Sequence, residues 1–235
     1  MRYINTMKKL ILSALGIALL LFISSCKKED DSSTVVPEDL TQQYFPIDSG
    51  LTRFYEVDSI FWDPFTQTRD TIHYSLKEVI AGTFIDNQGR LAQRIERFKQ
   101  DQVGNWIIYK VWSSHRNGQR AEKVEDNIRL VKLVFAVSQG VTWNGNAYNT
   151  LTPRNFEYIA VNAPGSIGNL NFPETIRVQE DDEPANLLND YYAEEKYARN
   201  VGMYYRIISD IEFNFISGDT VSGYIYTEKL SSYTL

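Results

Sequence analysis

The chain has 235 residues, 43% of them hydrophobic and 13% aromatic, with 24 basic against 30 acidic side chains and a formal charge of −6. A net acidic chain with no basic cluster excludes nucleic acid as a partner, and it excludes adhesion to anionic lipid by charge alone. Its single cysteine rules out a disulfide framework.

Near the start, Lys8-Lys9 precede the apolar run "LILSALGIALLLFI", which ends in Ser24-Ser25 directly before Cys26. A basic start, an apolar middle and small residues at the cut are the layout of a secretory signal peptide. The run is about 14 residues long, short of the roughly 18 expected of a membrane-spanning helix. Met7 stands immediately before Lys8-Lys9, so translation is expected to start there, with "MRYINT" an upstream extension. The stretch "FISSC" resembles the lipobox of bacterial lipoproteins, with Ser24 and Ser25 at the small positions and Ile23 where leucine is more usual. The resemblance implies cleavage between Ser25 and Cys26 and acylation of Cys26, palmitate included. Several acyl chains on one residue amount to stable anchoring, because each buried methylene contributes about 0.8 kcal/mol.

After the cysteine, Lys27, Lys28, Glu29, Asp30 and Asp31 resemble the export signal that sends lipoproteins of Bacteroidota to the outer face of the outer membrane. The resemblance implies a cell-surface address, with the periplasmic face as the alternative. Loss of Arg2, Lys8 and Lys9 with the leader takes the formal charge from −6 to −9. The stretch that follows, rich in charge, Ser and Thr, has little to bury and is expected to stay unfolded as a spacer. The predicted organisation is therefore a signal peptide over 1–25, the acylated cysteine with an acidic tether over 26–42, and a single domain over 43–235.

From Tyr44, "YFPIDSGLTRFYEVDSI" resembles the opening of a group of uncharacterised Bacteroidota lipoproteins, although Arg53-Phe54 stands where Asn-Xaa-Trp is commoner. "LVKLVFAVSQGVTWNGNAYN" and "KYARNVGMYYR" are similar to later segments of that group, which implies an address and a fold but no activity. In the domain the apolar period is two. "TIHYSLKEV" sets Ile72, Tyr74 and Leu76 on one face and Thr71, His73, Ser75 and Lys77 on the other; "NWIIYKVW" is apolar on both faces. "NIRLVKLVFAV", "NFEYIAVN", "YYRIISDIEFNF" and "SGYIYTEKLSSY" continue the strand-like series. Between such segments "DNQGR", "DQVGN", "HRNGQ", "WNGNA" and "ISGDT" supply turn residues that tolerate positive φ. "GSIGNLN" reads as a long mobile connection on one rim. "ANLLNDYYAEEKYARNVG" reads as a helix with Leu187, Leu188, Tyr191, Tyr192 and Tyr197 on one face, Pro184 near its start and Gly202 after its end. The expected fold is mainly β: a single antiparallel, strongly curved sheet, half-barrel or small barrel meander, with one short helix. A β-sandwich is the alternative.

Candidate chemistry is sparse. His73 falls on the polar side of a strand and His115 in a turn, with no metal or triad spacing around either. Asp63, Asp86, Glu157 and Glu212 could supply a glycosidase carboxylate pair, as could other acids. "QEDDEP" lacks the spacing and glycine of a calcium loop and reads as a solvated entry to the helix. No metal and no cofactor are expected. The aromatic inventory is more telling: Trp62 falls near a strand end, and Trp106, Trp112, Trp143, Tyr191 and Tyr192 are candidates to line a ligand groove. The sequence points to a non-enzymatic module that binds a glycan, a lipid or an outer-membrane protein, held on the membrane through Cys26. An apolar-ligand carrier and a carbohydrate-active enzyme with a carboxylate pair are the alternatives.

Overall fold

The computed structural model describes residues 38–183 and 188–235. The predicted signal peptide, Cys26 and the charged residues 27–31 lie outside them. A short helix, α1 (Glu38–Gln42), precedes twelve strands: β1 (Thr52–Trp62), β2 (Arg69–Ile85), β3 (Leu91–Gln100), β4 (Trp106–Arg116), β5 (Arg120–Glu125), β6 (Ile128–Val134), β7 (Thr142–Asn144), β8 (Asn155–Ile167), β9 (Leu170–Glu183), β10 (Asn189–Ala198), β11 (Gly202–Phe213) and β12 (Thr220–Thr234). They form one 12-stranded antiparallel sheet in the order β6-β5-β4-β3-β2-β1-β12-β11-β10-β9-β8-β7. Two meanders, β1 to β6 and β7 to β12, are thus joined where β1 pairs with β12.

This order forces curvature. The sheet edges β6 and β7 are consecutive in the chain, and the connection 135–141 spans at most about 25 Å even when fully extended. A twelve-strand sheet whose outermost strands must lie that close has to curl nearly into a barrel. The seam is stitched by isolated bonds: the Val131 N–H donates to the Gly145 carbonyl (2.9 Å) and Trp143 Nε1 donates to the Val131 carbonyl (2.9 Å). Tyr158 Oη donates to the Val134 carbonyl at 2.7 Å. The expected curved antiparallel sheet is what forms.

One end of the barrel is closed by the segment after α1. Tyr44 is buried and donates to Asn162 Oδ1 (2.7 Å), and Arg116 donates to the carbonyls of Gln42 and Phe45 (both 2.9 Å). Gly202 makes the close approach possible: its φ is +87°, and a Cβ there would lie 2.3 Å from the Arg53 guanidinium. Helix α1 itself falls within the stretch expected to be an unfolded tether, and its Thr41 is buried.

Two elements depart from expectation. Residues 189–198, expected as helix, form strand β10, paired with β9 on one side and β11 on the other. Its sequence satisfies a period of two as well as one of 3.6, since Ala193, Glu195 and Tyr197 are all buried, and two waiting strand edges decide between the periods. Leu188 is exposed rather than packed. The supposed rim connection "GSIGNLN" is the end of β8 and the start of β9, with Ile167 opposite Leu170 across a two-residue turn whose Gly168 has φ +53°. Residues 179–183, expected as a helix-entry loop, continue β9.

Candidate functional site

Residues directly opposite one another in an antiparallel ladder share a face. One cross-strand row runs Glu195, Arg206, Glu228, Val57 and Tyr74 from β10 to β2. A second runs Arg53, Glu78, Arg97 and Lys110 from β1 to β4. Both rows face the barrel interior; charge alternates over Glu195, Arg206 and Glu228 in the first and over Arg53, Glu78 and Arg97 in the second, which ends on a further cation, Lys110.

The interior is consequently an ion network. Glu78 is 1% exposed and meets Arg53 (2.9 Å), Arg97 (3.3 Å) and Lys123 (3.3 Å). Arg97 continues to Glu228 at 2.6 Å, and Lys123 to Glu125 at 3.5 Å. Arg206 bridges Glu125 (3.0 Å) and Glu195 (3.2 Å). Lys132, 1% exposed, closes the network between Glu195 (2.8 Å) and Glu180. Burial and the neighbouring Glu195 charge push the Glu180 carboxyl up to about 7. Burial also pushes on Glu125, but Arg206, Lys123 and Lys132 outweigh it and hold that carboxyl well below the usual range.

The network fills the closed end. The void among Arg53, Glu78, Lys123, Lys132 and Glu195 measures about 20 Å³, room for about one water. Drug-sized ligands occupy about 300–1,000 Å³ of largely apolar cavity. The closed end of the interior is both too small and too charged for a ligand of that size.

Toward the other end the barrel opens. Strand β5 pairs with β4 only over Ser113 to Arg116, so the first half of β4 has β3 alone as a partner. Here the inner face is a concave trough. Its floor is Arg97, Glu228, Arg206 and Glu125, and its walls carry Tyr74, Tyr109, Trp112 and Tyr226 around a cavity of about 200 Å³. The row Tyr191, Asp210, Tyr224 and Phe61 extends the aromatic face outward from β10 to β1.

Several groups fix these rings. Trp112 lies 4.1 Å from the Arg97 guanidinium and donates from Nε1 to Asp126 Oδ1 (3.1 Å). Tyr226 donates to Glu228 Oε1 (2.5 Å). Lys99 sits 3.9 Å from the centre of the Tyr74 ring and 4.0 Å from that of Tyr109, a cation lodged between two aromatic faces. Of the four rings Tyr109 is exposed, Tyr74 and Tyr226 are half-buried and Trp112 is buried; their open edges, the tyrosine hydroxyls and the nearby ammonium can meet a flat ring and hydrogen-bond its hydroxyl groups.

Of the five aromatic candidates, only Trp112 lines the trough cavity. Tyr191 lies on the trough's outward extension and accepts a bond from Arg154 (2.8 Å). Trp106 is on the outer surface, 5.8 Å from the Phe54 ring. Trp143 packs at the seam, 4.6 Å from the Tyr158 ring, and Tyr192 donates to Glu194 (2.7 Å). Tyr74, Tyr109 and Tyr226 were missed; Tyr74 was legible, since it shares a strand face with the buried Leu76.

The acid candidates do not converge. Asp63 and Asp86 cap hairpin turns, Glu157 faces Gln179 in the ladder, and Glu212 accepts from Ser222. His73 pairs with Asp58 (2.5 Å), while His115 bonds the Leu91 carbonyl (2.8 Å). Among the described residues no group of three His, Cys, Asp or Glu side chains could hold a metal ion. Glu180, whose raised pKa would suit a general acid, is shut inside the barrel.

No protein-family model and no curated protein matches the chain. Two solved structures resemble it distantly. One is a protein from Bacteroides fragilis described as exported and of YmcC-like fold, with TM-score 0.45 and 9% identity over 81% of this chain and 98% of that one. The other, described as a lipoprotein from Parabacteroides distasonis, has TM-score 0.41 and 7% identity over the same shares.

Proposed function

We propose that this chain is a lipoprotein of the Bacteroidota cell envelope, anchored to the outer membrane through acyl chains on Cys26 and carried to the cell surface by residues 27–31. Its trough binds a glycan and performs no chemistry. The address rests on the lipobox and the charged residues that follow it. The binding reading rests on one observation, the cluster of Tyr74, Tyr109, Trp112 and Tyr226 around an open cavity of about 200 Å³. The carboxylates within reach favour binding over hydrolysis. Asp126 is ion-paired with Lys110 at 2.5 Å, Glu125 with Arg206 and Glu228 with Arg97, so none is placed to hold the proton a glycosidase acid must deliver.

The test is a panel of soluble polysaccharides titrated against the chain from Val36 onward, which contains the whole described fold, with intrinsic tryptophan fluorescence as the readout. Saturable binding that weakens at least tenfold in Tyr109→Ala is expected. A panel without a single saturable response, or binding indifferent to Tyr109→Ala, overturns the reading. Loss of labelled palmitate from a Cys26→Ser chain tests the anchor separately.

A further inference from the structure

Turns at both ends of the barrel use one device, an Asp or Asn whose Oδ1 accepts the backbone N–H two residues on. Toward the end closed by the segment after α1, the residue so presented is polar: Gln88 on Asp86 and Gln119 on Asn117, both at 2.8 Å. At the opposite end three hairpin turns present an apolar residue instead, Phe65 on Asp63 (2.7 Å), Val103 on Asp101 (3.0 Å) and Ile216 on Asn214 (2.9 Å), while after β7 the residue so presented is the buried Asn146 on Asn144 (3.0 Å). The three apolar side chains are 95%, 80% and 94% exposed, and Phe215 beside Ile216 is 66% exposed. The device bonds a backbone amide and makes no demand on the side chain, as the two glutamines demonstrate. Turn formation therefore does not account for the apolar residues.

The three turns also belong together. Strand order sets the β3–β4, β1–β2 and β11–β12 hairpins side by side, with Trp62 opposite Gly223 and Gly223 opposite Ile211. Isolated exposed apolar residues are ordinary, whereas a row of them on adjacent turns at one end marks an interaction surface.

We propose that this crown of apolar turns, separate from the trough, docks onto a second protein whose face carries apolar sockets collared by lysine or arginine. Charge selects that occupant. On and beside the three turns stand Asp63, Asp70, Asp101, Asp210, Glu212 and Asp219 against Arg69 and Lys99. Such a rim is repelled by anionic headgroups and by a second copy of itself, and it is attracted to a basic protein face. Helix α1 and the segment after it meet the barrel at the far end, which leaves the crown clear of them.

The experiment places a benzophenone amino acid at position 65, 103 or 216 of the full-length chain in the cells that make it, with positions 88 and 119 as controls. One discrete protein adduct shared by the three apolar turns and absent from the two controls is expected. Its yield should fall at least tenfold in the Asp70→Lys, Asp219→Lys double variant, while that variant's melting temperature stays unchanged. Adducts absent from the apolar turns, equal at the controls, formed with a second copy of this chain or indifferent to charge reversal overturn the proposal. So does flotation of the purified protein with phosphatidylethanolamine–phosphatidylglycerol vesicles that depends on Phe65 and Ile216, which would assign the crown to lipid.

Discussion

Glu78→Gln tests whether the interior network holds the barrel together. The substitution keeps shape and hydrogen-bonding capacity but removes the one charge that Arg53, Lys123 and Arg97 share. Burial pushes the Glu78 carboxyl up, yet Lys123, Arg53 and Arg97 outweigh it and bring the pKa from 4.5 down to about 2. At about 1.4 kcal/mol for each pH unit of displacement, the folded state favours the carboxylate by about 3 kcal/mol, within the usual range for breaking a buried ion pair. Because the folded value lies below the unfolded one, this stability is fully present above pH 4.5 and is lost as pH falls toward 2. Urea unfolding of parent and variant should differ by about 3 kcal/mol at pH 7 and by about half that at pH 3. A difference under about 1 kcal/mol at pH 7, or one equally large at pH 3, refutes the argument.

Glu180→Gln should act with the opposite sign. With its carboxyl raised from 4.5 to about 7 by burial and Glu195, the folded state binds more protons than the unfolded one, and parent stability falls as pH rises between those values. Melting curves should show the variant more stable than the parent at pH 8, by up to about 3 kcal/mol, and no different below pH 4.5. Gly223→Ala should cost more than about 2 kcal/mol in urea unfolding, because φ is +124° and a Cβ would lie 2.1 Å from the Asp210 carbonyl oxygen. Trp143→Phe removes the Nε1 bond to Val131 at the seam; a loss of about 1 kcal/mol should come with faster amide exchange along β6 and not along β1.

The strands and turns were legible because each is specified by neighbours in sequence: a period of two, then Asn, Asp or Gly where the chain reverses. Strand β10 was not, because its tyrosines and glutamates fit two periods and the deciding partners, β9 and β11, lie outside the segment. The ion network was hidden for a related reason. Arg97 and Glu228 are 131 residues apart, and no local pattern announces such a pair. A partial signal did exist. Glu78 falls on the same strand face as the buried Leu76 and Ile80, and Arg53 on that of Tyr55 and Val57, so a charged residue on an apolar stripe was the available clue to an interior ion pair. The trough was missed because it depends on where β5 stops pairing with β4, a fact about tertiary length rather than about residue type.

The charged interior follows from strand number. Eight strands enclose a lumen that ordinary side chains just fill, while sixteen or more leave a water channel. Twelve lie between, and a wall lined with Leu and Val would leave a gap at the axis. Arg, Lys, Glu and Tyr are long enough to meet across it, and each charge finds an opposite one either along its row, as Arg53–Glu78–Arg97, or across to another strand, as Arg97–Glu228. The residual void of about 20 Å³ shows how completely they fill the closed end. Ion pairs also require specific partners, which apolar packing does not, so the network fixes strand register as well as filling space. The closed end, occupied in this way, has room for about one water. The proposed trough and crown both fall where the barrel is unfinished: beside the half of β4 that has β3 alone as a partner, and on the turns beyond it.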